Sequence, residues 1–505
     1  MANPLLVVFV HGWSVTNTDT YGELPARLKR EAGKDGGPPL DVRNIYLGQY
    51  VSFRDEVRLE DIARAFDAAV ADLLAEVGGS RRFVCITHST GGPVVRDWLD
   101  RFYVKPGKLA GCPLSHLIML APANFGSALA QLGKSRLARL ANWFDGVEPG
   151  QRVLDWLELG SPESFDLNSR WISNYTGPAL TTSANPLFLF VLTGDRIDRK
   201  LYDHLNSYTG EIGSDGVVRA AAANLNATYV RLEQPQPDRG DSLPRARAKL
   251  RNLDVAVVRR SPRTAFKIIP DASHSGDRMG IMRSVTETGA LHPTAATILR
   301  CLQVSDDPGY ASLCDAFDSE NNAHQAPANR LEIEHVPVIA DREYIHDPHS
   351  MLIFRLLDDH GARVQDVDIL LTAGPNNSPN ELPEDFLADR QANHRDPGTV
   401  TFFLNFAAMA GSPSIPGPDD SIVRPELVAR GNYGLAIRPR ATDGIVLYVE
   451  GAISAAEHDI LAYVAPNQTT LIDIVLTRVV RSGVFTFTKQ LAPRSFKNDP
   501  FGNPL

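Results

Sequence analysis

One serine of this chain lies between a short apolar run and a helical pattern, which is a setting typical of a catalytic nucleophile. Ser89 lies in the sequence THSTG, residues 87–91, with β-branched apolar residues before it and helically spaced apolar residues after it. If the strand turns back into a helix at Ser89, the residues next to Ser89 must be small, because the strand and the helix come into close contact there. Gly91 and Gly92 meet that need on the helix side, while Thr87 replaces the usual glycine on the strand side. The pattern predicts a nucleophile elbow with Ser89 as the nucleophile.

The elements around Ser89 must hold it at the edge of a sheet. Residues 57–77 carry the broad apolar face of a helix, which should feed the elbow strand through a right-handed crossover. Continuous apolar runs are typical of parallel strands that are covered on both faces. The predicted strands of this first region are residues 5–10, 83–87, 117–120, 186–192, 227–232 and 265–269.

Composition narrows the functional class. The chain has 505 residues, of which 43% are hydrophobic and 22% charged, as in ordinary globular proteins. Its net charge of −9 argues against a nucleic-acid-binding protein. No apolar run approaches the roughly 18 residues of a membrane span, and the first residues lack the features of a signal peptide. We therefore expect a cytoplasmic protein unless a leader has been removed, with its four cysteines as reduced thiols.

Six short motifs, in this order, resemble the lipase class of α/β-hydrolases, most of all the lecithin:cholesterol-acyltransferase-like and GPI-inositol-deacylase-like lipases. They lie within residues 1 to about 303. The motifs are VFVHG at 8–12, THSTGG at 87–92, MLAPANFG at 119–126, LGSP at 159–162 with LN at 167–168, SDGVV at 214–218 and SHS at 273–275. The resemblance implies an α/β-hydrolase fold, a serine nucleophile and ester substrates.

A serine nucleophile needs a base, and histidine suits that task because its pKa lies close to the working pH. Of the thirteen histidines, only His274 directly follows the last predicted core strand. His88 adjoins the nucleophile on a strained turn, where its ring should point away from the Ser89 hydroxyl. His292 precedes a predicted helix and is a less favoured candidate for the base. The sequence therefore predicts His274 as the base.

A carboxylate must orient the base, and two aspartates remain candidates. Asp215 lies in the SDGVV segment, which carries the acid in many lipases and matches the chain order serine, acid, histidine. Asp195 directly follows the strand at 186–192, which is also an acceptable position. We favour Asp215 and keep Asp195 as the alternative acid.

The oxyanion hole should be made of backbone N–H groups. One is the N–H of Thr90, which follows the nucleophile, and the other is that of Trp13, in the His-Gly turn after the first strand. His11 in that turn is expected to be structural.

The division of the chain follows shifts in its composition. We predict an α/β-hydrolase domain over 1–303, with a helical cap insertion at about 127–180. The tryptophans in this insertion fit two interpretations equally well, a cap over the active site and ordinary anchors of the core. Residues 304–328 are predicted as a linker with room for a short helix. From 329 to 505, short strands separated by turn signals predict an antiparallel β-sandwich domain of no recognised family.

The sequence predicts no metal or cofactor. His346 and His349 could form a metal-ligand pair, but an ordinary proline turn is favoured because no further ligands are evident.

Taken together, these features predict a serine carboxylic-ester hydrolase of lipase, phospholipase or esterase type, acting through an acyl-enzyme on lipid-like esters. The alternatives are an acyltransferase with the same triad and a binding or adaptor protein with an idle hydrolase fold. The C-terminal domain is expected to dock peripherally on a lipid surface or a partner protein. A fragment ending near Ser319 should then keep activity on small soluble esters, provided that the contact between the domains is not a large apolar one.

Overall fold

The structure is a computed structural model. It describes residues 4–10, 19–34, 37–46, 55–78, 81–132, 150–174, 180–198, 212–238, 243–335, 342–419, 421–440, 445–453 and 459–480, together with residues 487, 489, 493 and 495.

A six-stranded parallel sheet forms the centre of the first region. Its strands are β1 Leu5–Val10, β2 Leu40–Ile45, β3 Phe83–His88, β4 Leu114–Leu120, β5 Phe188–Thr193 and β8 Ala265–Ile268. They lie in the order β2-β1-β3-β4-β5-β8, and every neighbouring pair is parallel. This arrangement confirms the predicted α/β-hydrolase fold.

Helices cover both faces of the central sheet, which is why its strands are apolar throughout. The first face packs against α2 Leu59–Val77 and α3 Gly91–Leu99, which a π-helical turn at Asp100–Val104 extends. The second face packs against α1 Leu24–Ala32 and α8 Pro293–Leu302. Successive residues of β1 alternate between the two apolar cores, as the two-residue repeat of a strand requires.

Part of the predicted cap lies in the described chain. It contains α4 Gln151–Leu157 and α5 Pro162–Asn174. Trp156 and Trp171 are buried in the core of the first sheet face, so both are core anchors. Trp143 lies outside the described residues.

The segment predicted as a linker is a helix of the hydrolase region instead. Helix α9 spans Asp307–His324 and packs on β8. Asn321 pairs with the backbone of β8, donating to the Phe266 carbonyl and accepting from the Ile268 N–H, and Tyr310 donates to the Leu189 carbonyl. The polar composition of 304–328 hid this packing, because the few apolar residues that face the sheet are widely spaced.

A second six-stranded sheet contains strands from both regions of the chain. Its strands are β6 Ala227–Glu233, β7 Asp254–Arg260, β11 His349–Asp358, β13 Leu387–Ala392, β14 Thr399–Asn405 and β20 Thr469–Leu476. The order is β13-β14-β11-β20-β6-β7, and β20 is parallel to both of its neighbours. The expected strand at 227–232 thus belongs to the second sheet, and that sheet is mixed where an antiparallel one was expected.

An antiparallel sheet of three strands shares an apolar core with the mixed sheet. Its strands are β12 Val367–Thr372, β17 Gly434–Pro439 and β19 Gly451–Ile453. The remaining elements are α6 Ala220–Ala223, α7 Leu243–Leu250, β9 Leu331–Glu334, β10 Arg342–Ile345, α10 Phe406–Ala410, β15 Ile415–Pro416, β16 Ile422–Arg424, β18 Val446–Leu447 and β21 Val479–Val480.

All four cysteines are free and buried. Among the residues that the structure describes, no helix is both long and apolar enough to cross a lipid bilayer.

Candidate active site

Ser89 occupies a strained turn between β3 and α3. Its φ angle is +52°, in the left-handed region that residues with a Cβ rarely adopt. Its backbone N–H donates to the Leu120 carbonyl at the end of β4, over 3.0 Å. A non-glycine residue held in this conformation by its surroundings is the expected geometry of a nucleophile elbow.

The glycines after Ser89 are required by close packing. A Cβ on Gly92 would lie 2.8 Å from the Pro122 Cβ, and a Cβ on Gly91 would lie 3.1 Å from the Thr87 Cβ. The tight approach that the sequence predicted is therefore present, with Thr87 taking up the space beside Gly91.

His274 and Asp215 complete a hydrogen-bonded series that ends at Ser89. The Nδ1–H of His274 donates to Asp215 Oδ2 over 2.9 Å, and the Ser89 hydroxyl lies 3.1 Å from His274 Nε2. Both His274 and Asp215 are fully buried, while Ser89 is half-buried. Because the carboxylate can only accept a hydrogen bond, Nδ1 carries the proton, and Nε2 is left to accept one from the serine.

The backbone of His274 is fixed from two sides. Its N–H donates to the Asp215 carbonyl over 2.9 Å, and its own carbonyl accepts from His88 Nε2 over 3.0 Å. The two imidazole centroids are 4.7 Å apart. Burial, and then the neighbouring His274, hold the pKa of His88 well below its usual range. His88 is thus a neutral donor to the His274 carbonyl, and this contact holds its ring on the His274 backbone and not on the Ser89 hydroxyl.

The other candidates have different partners. Asp195 Oδ2 accepts a hydrogen bond from His324 Nε2 of α9 over 2.9 Å. Burial alone would raise the pKa of Asp195, but the contact with His324 outweighs burial, so the pKa is lowered. His292 caps α8, because its Nδ1 accepts from the Thr294 N–H.

Of the two expected oxyanion donors, Thr90 is described and lies directly before α3, at the positive end of the helix dipole. Trp13 and His11 lie outside the described residues.

The loop that carries Asp215 contacts the C-terminal region, which the sequence did not predict. Arg219 of this loop pairs with Asp389 of β13 and lies over the Phe403 ring of β14. These partners are more than 160 residues away along the chain, so no local pattern could identify them. The one available signal is a lone arginine within the apolar run at 217–223.

His346 and His349, considered as a metal pair, have separate partners. His346 Nε2 contacts Glu332 over 2.6 Å, and His349 Nδ1 donates to the Asp347 carbonyl over 2.8 Å. Within the described part of the chain, no group of three or more potential ligands is arranged to hold a metal ion.

Comparison with solved structures shows a strong similarity over the full length of the chain. Phospholipase PlaB from Legionella pneumophila is 43% identical over 99% of both chains, with a TM-score of 0.83. Its structure in complex with thio-NAD is 42% identical over 99% of both chains, with a TM-score of 0.81. No family model matches the chain, and no curated protein does.

This similarity covers the C-terminal region as well as the hydrolase region. The resemblance to α/β-hydrolase lipases that the motifs indicated is therefore confirmed, and the comparison identifies a particular family within that class. The chain belongs to the PlaB phospholipase family and is a serine ester hydrolase of the lipase type.

Proposed function

We propose that this protein is a phospholipase in which Ser89 is the nucleophile, His274 the general base and acid, and Asp215 the residue that orients His274. The observation that carries the proposal is the series of hydrogen bonds from Asp215 through His274 to Ser89, at 2.9 and 3.1 Å. Nucleophile and base at such distances, with the base oriented by a third group, are the arrangement that activates a serine hydroxyl.

In the first half of the reaction, Ser89 Oγ attacks the carbonyl carbon of the ester while its proton moves to His274 Nε2. The tetrahedral intermediate collapses as His274 returns that proton to the departing alcohol oxygen. An acyl group is then bound to Ser89, and the alcohol half of the lipid has left.

In the second half, water replaces the alcohol. It attacks the acyl carbonyl as His274 Nε2 takes its proton, and the intermediate releases the fatty acid when that proton returns to Ser89 Oγ. The N–H groups of Thr90 and Trp13 are proposed to bind the oxyanion in both halves.

The substrate class comes from the relative. PlaB is named a phospholipase, and the present chain is 43% identical to it along its full length. We therefore propose the carboxylic esters of phospholipids as substrates. Docking of the C-terminal region on a lipid surface or a partner protein, and a cytoplasmic location, remain predictions.

The experiment compares the wild-type protein with Ser89→Ala on phosphatidylcholine vesicles, measuring the release of fatty acid. We expect the variant to lose at least about 10³-fold in rate. Ser169→Ala is the matched control, because its hydroxyl is exposed on α5 and bonds only to the Asp166 carbonyl among its recorded contacts. Retention of a tenth of the wild-type rate in Ser89→Ala would remove Ser89 from the mechanism.

The same assay separates hydrolysis from acyl transfer. With a long-chain alcohol added, a hydrolase should still release mainly fatty acid, whereas an acyltransferase would form a new ester. A wild-type protein that releases neither product and takes up no fluorophosphonate would support the idle hydrolase fold instead.

A further inference from the structure

We propose that Arg219 is a positioning residue for the catalytic acid, and that residues of the C-terminal region thereby help to complete the active site. Arg219 anchors the acid loop, residues 213–219, to the mixed sheet and so fixes Asp215 against His274. The inference rests on the proposed function, because it takes Asp215 as the orienting acid.

The acid loop is closed by its own hydrogen bonds. Asp215 Oδ1 accepts from the N–H groups of Val217 and Val218, over 3.0 and 2.7 Å. The Asp215 N–H donates to the Val218 carbonyl over 3.1 Å, and the Ala220 N–H donates to the Gly213 carbonyl over 2.9 Å. A loop closed in this way moves as one unit, so a contact that places Arg219 also places the carboxylate of Asp215.

The side chain of Arg219 contacts three residues of the C-terminal region, Asp389, Phe403 and Met351. It is 1% exposed. Its guanidinium pairs with Asp389 and lies 4.2 Å from the centroid of the Phe403 ring, and its Nη1 faces the sulfur of Met351. A buried guanidinium that both pairs and stacks has a planar geometry that few other side chains can reproduce.

The start of the loop rests on the same surface. Gly213 has a φ of +82°, and a Cβ there would lie 3.0 Å from His349 Nδ1. The His349 ring in turn stacks on Phe403, with centroids 4.7 Å apart and planes at 18°. Gly213 thus lies against His349 of β11, and Arg219 lies against Phe403 of β14; the Phe403 ring contacts both His349 and Arg219.

Asp215 is thus fixed by two sets of contacts. Within the hydrolase region, Ser127 Oγ donates to the Val217 carbonyl over 2.6 Å. From the C-terminal region, the Arg219 anchor holds the last residue of the loop. A carboxylate that must meet an imidazole at 2.9 Å is sensitive to small displacements, because a misplacement of about 1 Å can cost on the order of 100-fold in rate.

The test measures kcat and KM of the folded Arg219→Met protein on a short p-nitrophenyl ester, which removes lipid docking from the comparison. We expect kcat to fall by about 100-fold while KM stays close to the wild-type value, because a displaced Asp215 carboxylate no longer orients the general base.

Arg355→Met is the matched control. Arg355 is also a largely buried arginine that pairs with an aspartate, Asp473, and lies 3.9 Å from an aromatic centroid, that of Phe165. It has no recorded contact with the acid loop. Its loss should lower thermal stability while leaving kcat of the folded protein close to the wild-type value. A kcat loss in Arg219→Met no larger than that in Arg355→Met would overturn the proposal.

Milder variants keep the test decisive if Arg219→Met does not fold. Arg219→Lys keeps the charge and loses the planar stack, so it should recover part of the rate. Asp389→Asn alters a partly exposed residue of β13 and should lower kcat less, by about 10-fold. Wild-type kcat values in both variants would contradict the anchor.

The double variant Asp215→Asn/Arg219→Met separates this inference from the proposed function. If Arg219 acts through Asp215, adding Arg219→Met to Asp215→Asn should cost little further rate. Full additivity would overturn the positioning role alone. Wild-type activity in Asp215→Asn itself would instead overturn the assignment of the acid.

Discussion

At the level of single residues, the hydrogen bonds of His274 decide which of its nitrogens can do chemistry. Nδ1 donates a hydrogen bond to Asp215, and Nε2 faces the hydroxyl of Ser89. The backbone N–H of His274 donates to the Asp215 carbonyl, and the backbone carbonyl of His274 accepts from His88. The ring therefore has one orientation and one tautomer, which is the preorganisation that a general base requires.

Asp215→Asn should cost more than any change at the alternative acid. An amide at this position can donate to His274 Nδ1 and favour the wrong tautomer, with an expected loss of around 10⁴-fold in kcat. Asp195→Asn is the matched control, because Asp195 is also a buried aspartate paired with a histidine, His324. Steady-state kinetics on a short ester measure both, and a larger loss at Asp195 would reverse the assignment.

His116 should make stability depend on pH. This buried histidine of β4 donates from Nε2 to the Val304 carbonyl over 2.9 Å, and burial lowers its pKa to about 4. The unfolded chain, with a histidine pKa of about 6.5, binds the proton first, so stability is retained above that pH and is lost as the pH falls towards 4. The full difference amounts to about 3 kcal/mol.

Urea unfolding of wild type and His116→Gln at pH 7 and pH 4 measures this effect. Other groups also titrate in that range, so the comparison between the two proteins isolates His116. The wild type should lose about 3 kcal/mol more than the variant between the two pH values. Equal losses in the two proteins would show that His116 does not titrate as its burial implies.

At the level of elements, the elbow was predictable because its signal is local. The residues that define it are consecutive, and the glycines among them leave the space that the tight turn requires. The acid loop was predictable in position for the same reason, since SDGVV forms its own hydrogen bonds. Helix α9 was not predictable, because its helical pattern is polar and its contacts with β8 depend on Asn321 and Tyr310.

Gly92→Ala should disturb the packing of α3 on β4. The added Cβ would lie 2.8 Å from the Pro122 Cβ, and 3.3 Å from the Met119 sulfur. Overpacking of this kind costs about 1–3 kcal/mol, and a displaced α3 should also misplace Ser89. Gly33→Ala is the control, because a Cβ there meets nothing within 4 Å.

Thermal unfolding and kcat on a short ester test the Gly92 prediction together. We expect both to fall in Gly92→Ala and neither to fall in Gly33→Ala. A Gly92→Ala protein as stable and active as the wild type would mean that the elbow tolerates a wider spacing than its contacts indicate.

At the level of the whole molecule, the two regions are interleaved. Strand β6 of the first region pairs with β20 of the second along seven residue pairs. Met351, Ile353, Phe403 and Leu471 of the C-terminal region lie in the same apolar core as α2 and α3. Pairings across more than 200 residues leave no mark in local composition, which explains why the sequence suggested a boundary near residue 303.

The fragment ending near Ser319 is therefore not expected to be active. Truncation would remove the strand partner of β6, part of the apolar core and the anchor of Arg219. We expect no cooperative thermal transition by circular dichroism and no hydrolysis of soluble esters. A fragment that melts cooperatively and keeps the full-length rate on a short ester would restore the picture of a separable hydrolase domain.

The most direct test of the account is to identify the residue that a fluorophosphonate modifies in the full-length protein. Mass spectrometry of the digested protein should place one adduct on Ser89, and loss of phospholipid hydrolysis should follow the extent of its modification in direct proportion. Complete modification of Ser89 with hydrolysis retained, or loss of hydrolysis with an adduct on another residue, would contradict the proposal that Ser89 is the nucleophile of this enzyme.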